Sequence, residues 1–407
     1  MHARPGPLPV SGIAVFTQYP QGMSSLTHRL LAMSLLLAAA STGMAASDAK
    51  VESETLSQLE LELDRLQGWQ TSVAGAFSVG VESNPILSSK SAEAQGFATG
   101  QFEALASKAD WEGLTLSAFL DASCTRFPSQ DAPLGGRQSW IIFGEAKGSE
   151  RLPLRPTLSA SAYLQDEVLD LSATGTGHWI APLRVWGGRT VFSLRRNMGT
   201  HFWVEAHSSV HRCAYLDYAG DFTEPGLGAR LGAQLSGGLE ILVDMRALSR
   251  LHDSRGMRTI AGRERAGTRL RLRFLEQESR VRWKGTWHGE WRAEMTLRRI
   301  ACKDGDSGFH DYRQSGASLQ AEWEQGRWAF RVEAGGEHYA YDVQTVGMGL
   351  APAARKRTDA NGLLRLSRDL GKERSLWLEY RAERSRTNEQ DADYTNCIVV
   401  VGMRQEF

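Results

Sequence analysis

From Thr71 to the end of the chain, apolar and polar residues alternate with a period of two. Successive side chains of a β-strand point to opposite faces, so each alternating segment predicts a strand with one apolar and one polar face. The repetition along the whole chain indicates an all-β fold, for which a soluble sandwich or solenoid is the alternative. Six segments show the pattern most clearly, and their apolar positions are Val73, Phe77, Val79 and Val81; Leu114, Leu116, Ala118 and Leu120; Leu158, Ala160, Ala162 and Leu164; Phe202, Val204 and Ala206; Leu239, Ile241, Val243 and Met245; and Leu376, Leu378 and Tyr380.

The connections between these segments alternate between short and long. This alternation is typical of a transmembrane antiparallel up-and-down β-barrel, whose periplasmic turns are short and whose extracellular loops are long. It predicts the direction of every strand and a total of about 16 strands, an even number. The short connections include 108–113, 236–238, 287–290, 324–327 and 369–373, and the long ones include 83–95, 127–138, 214–226, 303–315 and 342–359.

The bulk composition agrees with a barrel and excludes a helical membrane protein. The 407 residues include 47 Lys and Arg against 47 Asp and Glu, and the mean hydropathy is −0.34. No stretch approaches the ~18–20 apolar residues that a membrane-spanning helix needs. Alternating strands dilute hydrophobicity, so a low mean does not argue against a barrel.

The amino-terminal part divides into three segments before the barrel at residues 69–407. Residues 1–22 carry no periodic pattern, and we interpret them as an extension upstream of a true start at Met23. Residues 23–46 combine a basic start, an apolar core and small residues, which predicts a secretory signal peptide. Within residues 47–68, leucines at heptad spacing predict a short amphipathic periplasmic helix.

The carboxyl-terminal segment has one apolar face and one polar face. Its apolar face carries Val399, Val401, Met403 and Phe407, and Arg404 lies on the other face. An aromatic carboxyl terminus on such a strand resembles the closing strand of bacterial outer-membrane β-barrels of the porin-like class. The resemblance covers 71–407 but matches no particular characterised member. It implies an outer-membrane location, lipid contact, and assembly by the barrel-assembly machinery through a signal formed by these four apolar residues.

The strongest candidate for chemistry is a basic run that we expect on the interior wall. The phase of the run changes, which indicates either a turn around residues 276–278 or a β-bulge within one long strand. The bulge is the preferred explanation because it keeps the alternation of short and long connections. Leu270, Leu272 and Phe274 are then expected to face lipid. Arginines at ~7 Å repeats along a strand would attract anions, and acidic residues on the preceding strand would produce a transverse field. The alternative is that arginines and carboxylates simply pair and fill the interior. The candidate wall residues are Arg269, Arg271, Arg273, Arg280, Arg282, Lys284, Arg292 and Arg298, with Glu240 and Asp244.

Histidine, serine and cysteine are the other residue types here that could support catalysis, metal binding or disulfides. His207 and His211 lie ~13 Å apart along one strand, too far to bind one metal. Ser209 shares their face, but no catalytic motif surrounds it. The four cysteines, Cys124, Cys213, Cys302 and Cys397, are expected near extracellular strand ends, with three possible pairings or none. Tryptophans near the short turns, Trp283, Trp287, Trp291 and Trp328, predict an interfacial girdle.

These observations predict a non-enzymatic, porin-like channel of the bacterial outer membrane for small polar solutes, anionic ones among them. Sixteen strands would enclose an aqueous lumen. An export or assembly barrel for an anionic polymer or lipoprotein is the first alternative, and an outer-membrane hydrolase is the second. No cofactor, metal or nucleic acid is expected, and the oligomeric state is left open.

Overall fold

The computed structural model describes residues 68–87, 92–111, 113–128, 136–149, 152–170, 180–216, 220–286, 288–346, 352–389 and 392–407. The predicted extension, signal peptide and, apart from its last residue, the amphipathic helix lie outside these ranges. No helix among the described residues is long and apolar enough to cross a membrane.

Within the described residues the chain forms sixteen strands, each antiparallel to its neighbours. A short 3₁₀ turn, Ser236–Gly238, connects the eighth strand to the ninth. The strands are β1 Gln70–Glu82, β2 Gln95–Trp111, β3 Leu114–Arg126, β4 Gly136–Gly148, β5 Arg155–Asp170, β6 Ile180–Met198, β7 Phe202–Tyr215, β8 Phe222–Gln234, β9 Leu239–His252, β10 Arg271–Thr286, β11 Glu290–Lys303, β12 Tyr312–Gln325, β13 Trp328–Val346, β14 Ala353–Gly371, β15 Arg374–Thr387 and β16 Tyr394–Glu406.

The sheet closes on itself because β1 pairs with β16. The register places Phe77 opposite Met403 and Val79 opposite Val401. The backbone N–H of Phe407 donates to the carbonyl of Val73 over 2.8 Å, so the terminal residue completes the seam. Closure leaves no unpaired strand edge. The predicted up-and-down barrel of sixteen strands is confirmed.

One face of every strand points outward, and large apolar side chains on it are exposed. A contiguous exposed apolar surface of this extent indicates contact with lipid. Trp283, Trp291, Trp323 and Trp328 all lie on this face beside short turns, as a girdle requires; Trp287 lies outside the described residues. The outward apolar residues include Phe77, Val79, Val81, Phe102, Ile142, Leu158, Phe192, Leu194, Leu227, Leu231, Ile241, Met245, Leu275, Val281, Met295, Leu297, Leu319, Phe330, Leu364, Leu366, Leu376, Leu378, Val399, Val401 and Met403.

The long connections lie at one end of the barrel and the short turns at the other, as predicted. One long loop was not predicted. Residues 253–270, between β9 and β10, fold into a small hairpin closed by the bridge between Arg258 and Glu264. The predicted basic strand began inside this segment, at Arg269, so that residue belongs to the loop.

Strand β10 corrects the prediction for the upper part of the basic run. Its pairing with β9 and β11 continues without a shift, so the expected bulge near residues 276–278 is absent from this strand. Leu270, Leu272 and Phe274 point inward and are buried in a cluster with Ile300 and Cys302. Arg271 and Arg273 therefore point outward. The interior is apolar at this end, and the alternation of a strand does not reveal which face is the inner one.

Candidate functional site

The lower half of the basic run faces the interior as predicted, but its arginines are paired. Arg282 donates through Nε to Glu294 Oε2 over 2.5 Å and lies 3.5 Å from Glu240 Oε2. Arg280 lies 2.7 Å from Glu278 Oε1 and 3.3 Å from Glu294 Oε1. The register creates these pairs, because Glu240 and Glu294 stand directly opposite Arg282 on the two flanking strands.

Of the other residues predicted on this wall, Arg298 and Arg292 form ion pairs. Arg298 Nη2 lies 3.5 Å from Glu276 Oε1, and Arg292 Nη2 lies 3.5 Å from Glu290 Oε2. Lys284 faces the interior and is exposed, and no ion pair to it exists among the described residues. The wall thus consists mainly of compensated charges, in which carboxylates neutralise most of the arginines.

Asp244, the other predicted acid, lies at the centre of a second network. It is buried and accepts a hydrogen bond from Arg230 Nη2 over 3.1 Å. His207 Nε2 lies 3.7 Å away and Arg246 Nε 3.8 Å away. Arg230 also binds Glu205 over 3.0 Å. The network therefore joins β7, β8 and β9 into one charged surface.

Glycines on β8 make room for this network. A Cβ at Gly228 would lie 2.3 Å from His207 Nε2, and one at Gly232 would lie 2.1 Å from the Trp203 ring. Side chains of β7 therefore fold flat across β8. The Arg195 guanidinium stacks over the Trp203 ring, 4.1 Å from the ring centroid. This packing holds the β7 side chains against the wall and away from the axis.

A second charged wall, on the opposite strands, was not predicted. On β14 and β15, Arg365 Nε donates to Glu379 Oε2 over 2.5 Å, and Arg381 binds the other oxygen of the same carboxylate. Arg404 crosses β1 to reach Glu103 over 2.9 Å. The alternation of charged residues on β14 and β15 could have indicated this wall, but only closure of the ring brings Arg404 to Glu103.

Acidic residues collect beside that second wall, on β2 and β3. The Gln101 amide donates to Glu103 over 3.0 Å and to Asp121 over 2.8 Å. Asp121 stands opposite Glu103 in the register. Because an amide rather than a cation bridges them, this part of the wall carries uncompensated negative charge apart from Arg404.

The loops 253–270 and 304–311 are bound to each other above the apolar cluster. Arg265 Nη1 lies 3.1 Å from Asp306 Oδ2, and Ser307 Oγ donates to the Arg258 carbonyl over 2.5 Å. Asp304 accepts from three backbone N–H groups, which outweighs its burial and lowers its pKa. Burial, with Arg255 and Arg258 nearby, lowers the pKa of His310 to about 4.

The histidines and cysteines are dispersed. His211 Nε2 lies 2.9 Å from Tyr163 Oη, His207 lies beside Asp244, and His201 contacts the Gln234 carbonyl. Among the described residues no hydrogen bond joins Ser209 to a histidine. All four cysteines are near the strand ends that carry the long connections, and each is a free thiol. Cys213 and Cys302 are buried.

Three features together decide the class of this protein: a closed sheet, an outward apolar surface and an interior lined by charged side chains. Only a structure that satisfies all of its backbone groups internally can present such a surface to a bilayer. The protein is a transmembrane β-barrel.

No protein-family model and no curated protein matches the sequence. It is similar to solved structures that include OpdK of Pseudomonas aeruginosa with vanillate, at 8% identity over 83% of this chain and 99% of that chain, TM-score 0.41. OccAB1 of Acinetobacter baumannii has 7% identity over 83% and 97%, TM-score 0.43. A loop-deletion mutant of OmpT, an outer membrane protein of Vibrio cholerae, has 8% identity over 83% and 99%, TM-score 0.42. Values this low support no transfer of function, and the fold assignment rests on the strand order itself.

Proposed function

We propose that the barrel is a porin-like channel through which small polar solutes cross the outer membrane. The observation that carries the proposal is the closed ring of sixteen strands whose interior side chains are charged and bound to neighbouring strands. A ring of this size is too wide for side chains to fill, whereas eight strands would be filled. Ion pairs held against the wall leave the axis to water.

Anionic solutes are the class that we propose for the stretch of wall around Arg282 and Lys284. The Arg282 side chain is 43% exposed although it is paired, and Lys284 is exposed as well. Across the lumen stand Glu103 and Asp121 on β2 and β3. A cationic stretch facing an acidic one would orient dipolar solutes and select by charge. Because most of the arginines are compensated, the expected preference for anions is modest.

Planar-bilayer conductance of the purified full chain tests the channel proposal. A porin-like channel should open constitutively, in steps that scale with salt concentration. A barrel that stays closed would contradict the proposal and favour the export alternative, in which a plug is removed by a partner. Closed barrels that hydrolyse ester or amide substrates would instead favour the enzyme alternative.

For assembly we propose that the terminal strand is read by the barrel-assembly machinery. Phe407 lies on the outward face at the seam between β16 and β1. Before the barrel closes, an aromatic side chain there is accessible to the assembly machinery. After closure, its backbone N–H is bonded to the Val73 carbonyl across the seam.

A further inference from the structure

Six arginines lie on the outward face of the barrel near its extracellular end. They are exposed and occupy strands β10, β11, β12 and β15. We call this set the outward arginine belt, and it consists of Arg271, Arg273, Arg299, Arg313, Arg384 and Arg386. Side chains on this face do not reach the lumen, so the belt cannot bind solutes that pass through it and must have another role.

The register makes the belt continuous. Arg299 stands opposite Ser315, which faces His338, Thr358 and then Arg386 along one row. Four strand spacings of ~4.8 Å separate the two arginines of this row, about 19 Å in all. In the adjacent row, Arg313 is followed by Ala340 and Lys356. The positive charge therefore covers one side of the barrel surface rather than a single point.

Among the described residues no belt arginine lies within 4 Å of a carboxylate oxygen, and only Arg313 interacts electrostatically with one, that of Asp342. Arg271 binds the hydroxyl of Ser249 over 3.1 Å. Lys303, beside Arg273, is different because it binds Asp311 and Asp342. Two outward arginines elsewhere at this end are paired: Arg184 binds Asp166 over 2.6 Å, and Arg212 binds Asp253 over 2.6 Å. Arg126 on β3 is exposed and stands alone, whereas the six belt arginines form a group, so unpaired positive charge is densest on the side formed by β10–β15.

Apolar side chains lie directly below the belt on the same strands. Leu297, Leu319 and Leu378 are exposed on the outward face, nearer the short turns than the arginines. A ligand that contacts both the arginines and the leucines has anionic groups in its headgroup and acyl chains beneath them. Guanidinium groups bind phosphate through paired hydrogen bonds, so phosphate is the anion that fits best.

We propose that the outward arginine belt binds the phosphorylated headgroup of an outer-leaflet glycolipid of the lipid A type. The lipid phosphates pair with the arginines, and the acyl chains pack on the leucines below. The lipid thereby supplies the negative charge that Asp166 and Asp253 supply to Arg184 and Arg212. This binding is independent of conduction, because the belt lies outside the lumen.

The test uses the full chain, purified in detergent and titrated with bisphosphorylated lipid A in native mass spectrometry. The belt variant carries Arg273→Gln, Arg299→Gln and Arg313→Gln. A matched control carries Arg126→Gln, Arg184→Gln and Arg212→Gln, which removes the same charge at the same end but outside the belt. Each arginine near an anionic lipid surface contributes roughly fivefold in affinity, so the belt variant should bind about 100-fold more weakly. The control should bind like the wild type.

Four results would overturn the proposal. They are wild-type affinity in the belt variant, an equal loss in the control, equal binding of fully dephosphorylated lipid A, and equal competition by inorganic phosphate. The third would mean that acyl chains alone account for binding, and the fourth that the belt is a general anion site. Heat-modifiable electrophoretic mobility establishes that each variant is folded, and substitutions on the outward face leave the interior ion pairs intact.

Discussion

Neutralising Glu294 should make the lumen more selective for anions. This carboxylate accepts from Arg282 over 2.5 Å and lies 3.3 Å from Arg280. Glu294→Gln keeps the shape of the side chain and removes its charge, which leaves one guanidinium charge on this wall uncompensated. The Glu294 and Arg282 side chains are 31% and 43% exposed, so the pair resembles a surface ion pair whose loss costs no more than about 1 kcal/mol. The barrel should therefore stay folded.

The size of the effect follows from Coulomb's law. One unit charge about 7 Å from a passing ion is worth ~0.6 kcal/mol in a water-like medium. At 0.1 M salt the Debye length of ~10 Å halves this value. Anions gain and cations lose ~0.3 kcal/mol each, so the ratio of anion to cation permeability should rise about threefold. At 1 M salt, where the Debye length is ~3 Å, the change should shrink to roughly 1.2-fold.

The assay is the reversal potential across a planar bilayer with a salt gradient, measured around 0.1 M and again around 1 M. Asp166→Asn is the control, because it removes one carboxylate from an arginine pair on the outward face. Its reversal potential should equal that of the wild type. A folded Glu294→Gln barrel with unchanged reversal potential at low salt would refute a lumen role for this wall. A shift that persists at 1 M would show that the field reasoning is wrong.

The remaining predictions concern topology, assembly and pH. Epitope tags inserted within residues 304–311 should be labelled on intact cells, whereas tags at residues 326–327 should not; labelling of the short turn would reverse the orientation. Deletion of Phe407 removes the hydrogen bond to the Val73 carbonyl and should lower the yield of folded barrel in the membrane several-fold, whereas Phe407→Tyr should restore it; an unchanged yield after deletion would argue against a role in closure. His310 has a pKa of about 4 in the fold against 6.5 for a free histidine, so the unfolded loop binds more protons between these values. Protection of residues 304–311 from hydrogen exchange should thus fall as pH drops from 6.5 to 4. His310→Gln should abolish this loss of protection. A loss that persists in the variant would show that Asp304, and not His310, controls the loop.

Much of the architecture was predictable because it depends on local pattern. The alternation located the strands, the spacing of connections predicted their directions, and Phe407 marked the closing strand. The wall around Arg280 and Arg282 was also predictable, since those positions share the phase of neighbouring polar residues. Prediction failed at Arg271 and Arg273, where the interior changes from polar to apolar within a single strand.

Pairing explains the rest of what sequence reasoning missed. Glu379 binds Arg381 on its own strand and Arg365 on the neighbouring strand, a choice of partner that depends on the register. Glu103 binds Arg404, which lies near the other end of the barrel sequence, so no local pattern records that pair. The loop at residues 253–270 was missed because its last basic residue, Arg269, continues the spacing of Arg271 and Arg273 on β10.

The sequence by itself determined that this chain is a sheet of alternating strands with one lipid-facing surface, because a period of two is a local property of the backbone. Only the tertiary structure decided which face of β10 is the inner one, which carboxylate neutralises each arginine and which arginines remain uncompensated. The physical reason is that charge compensation depends on strand register around a closed ring, and register brings together residues such as Glu103 and Arg404 that lie at opposite ends of the chain.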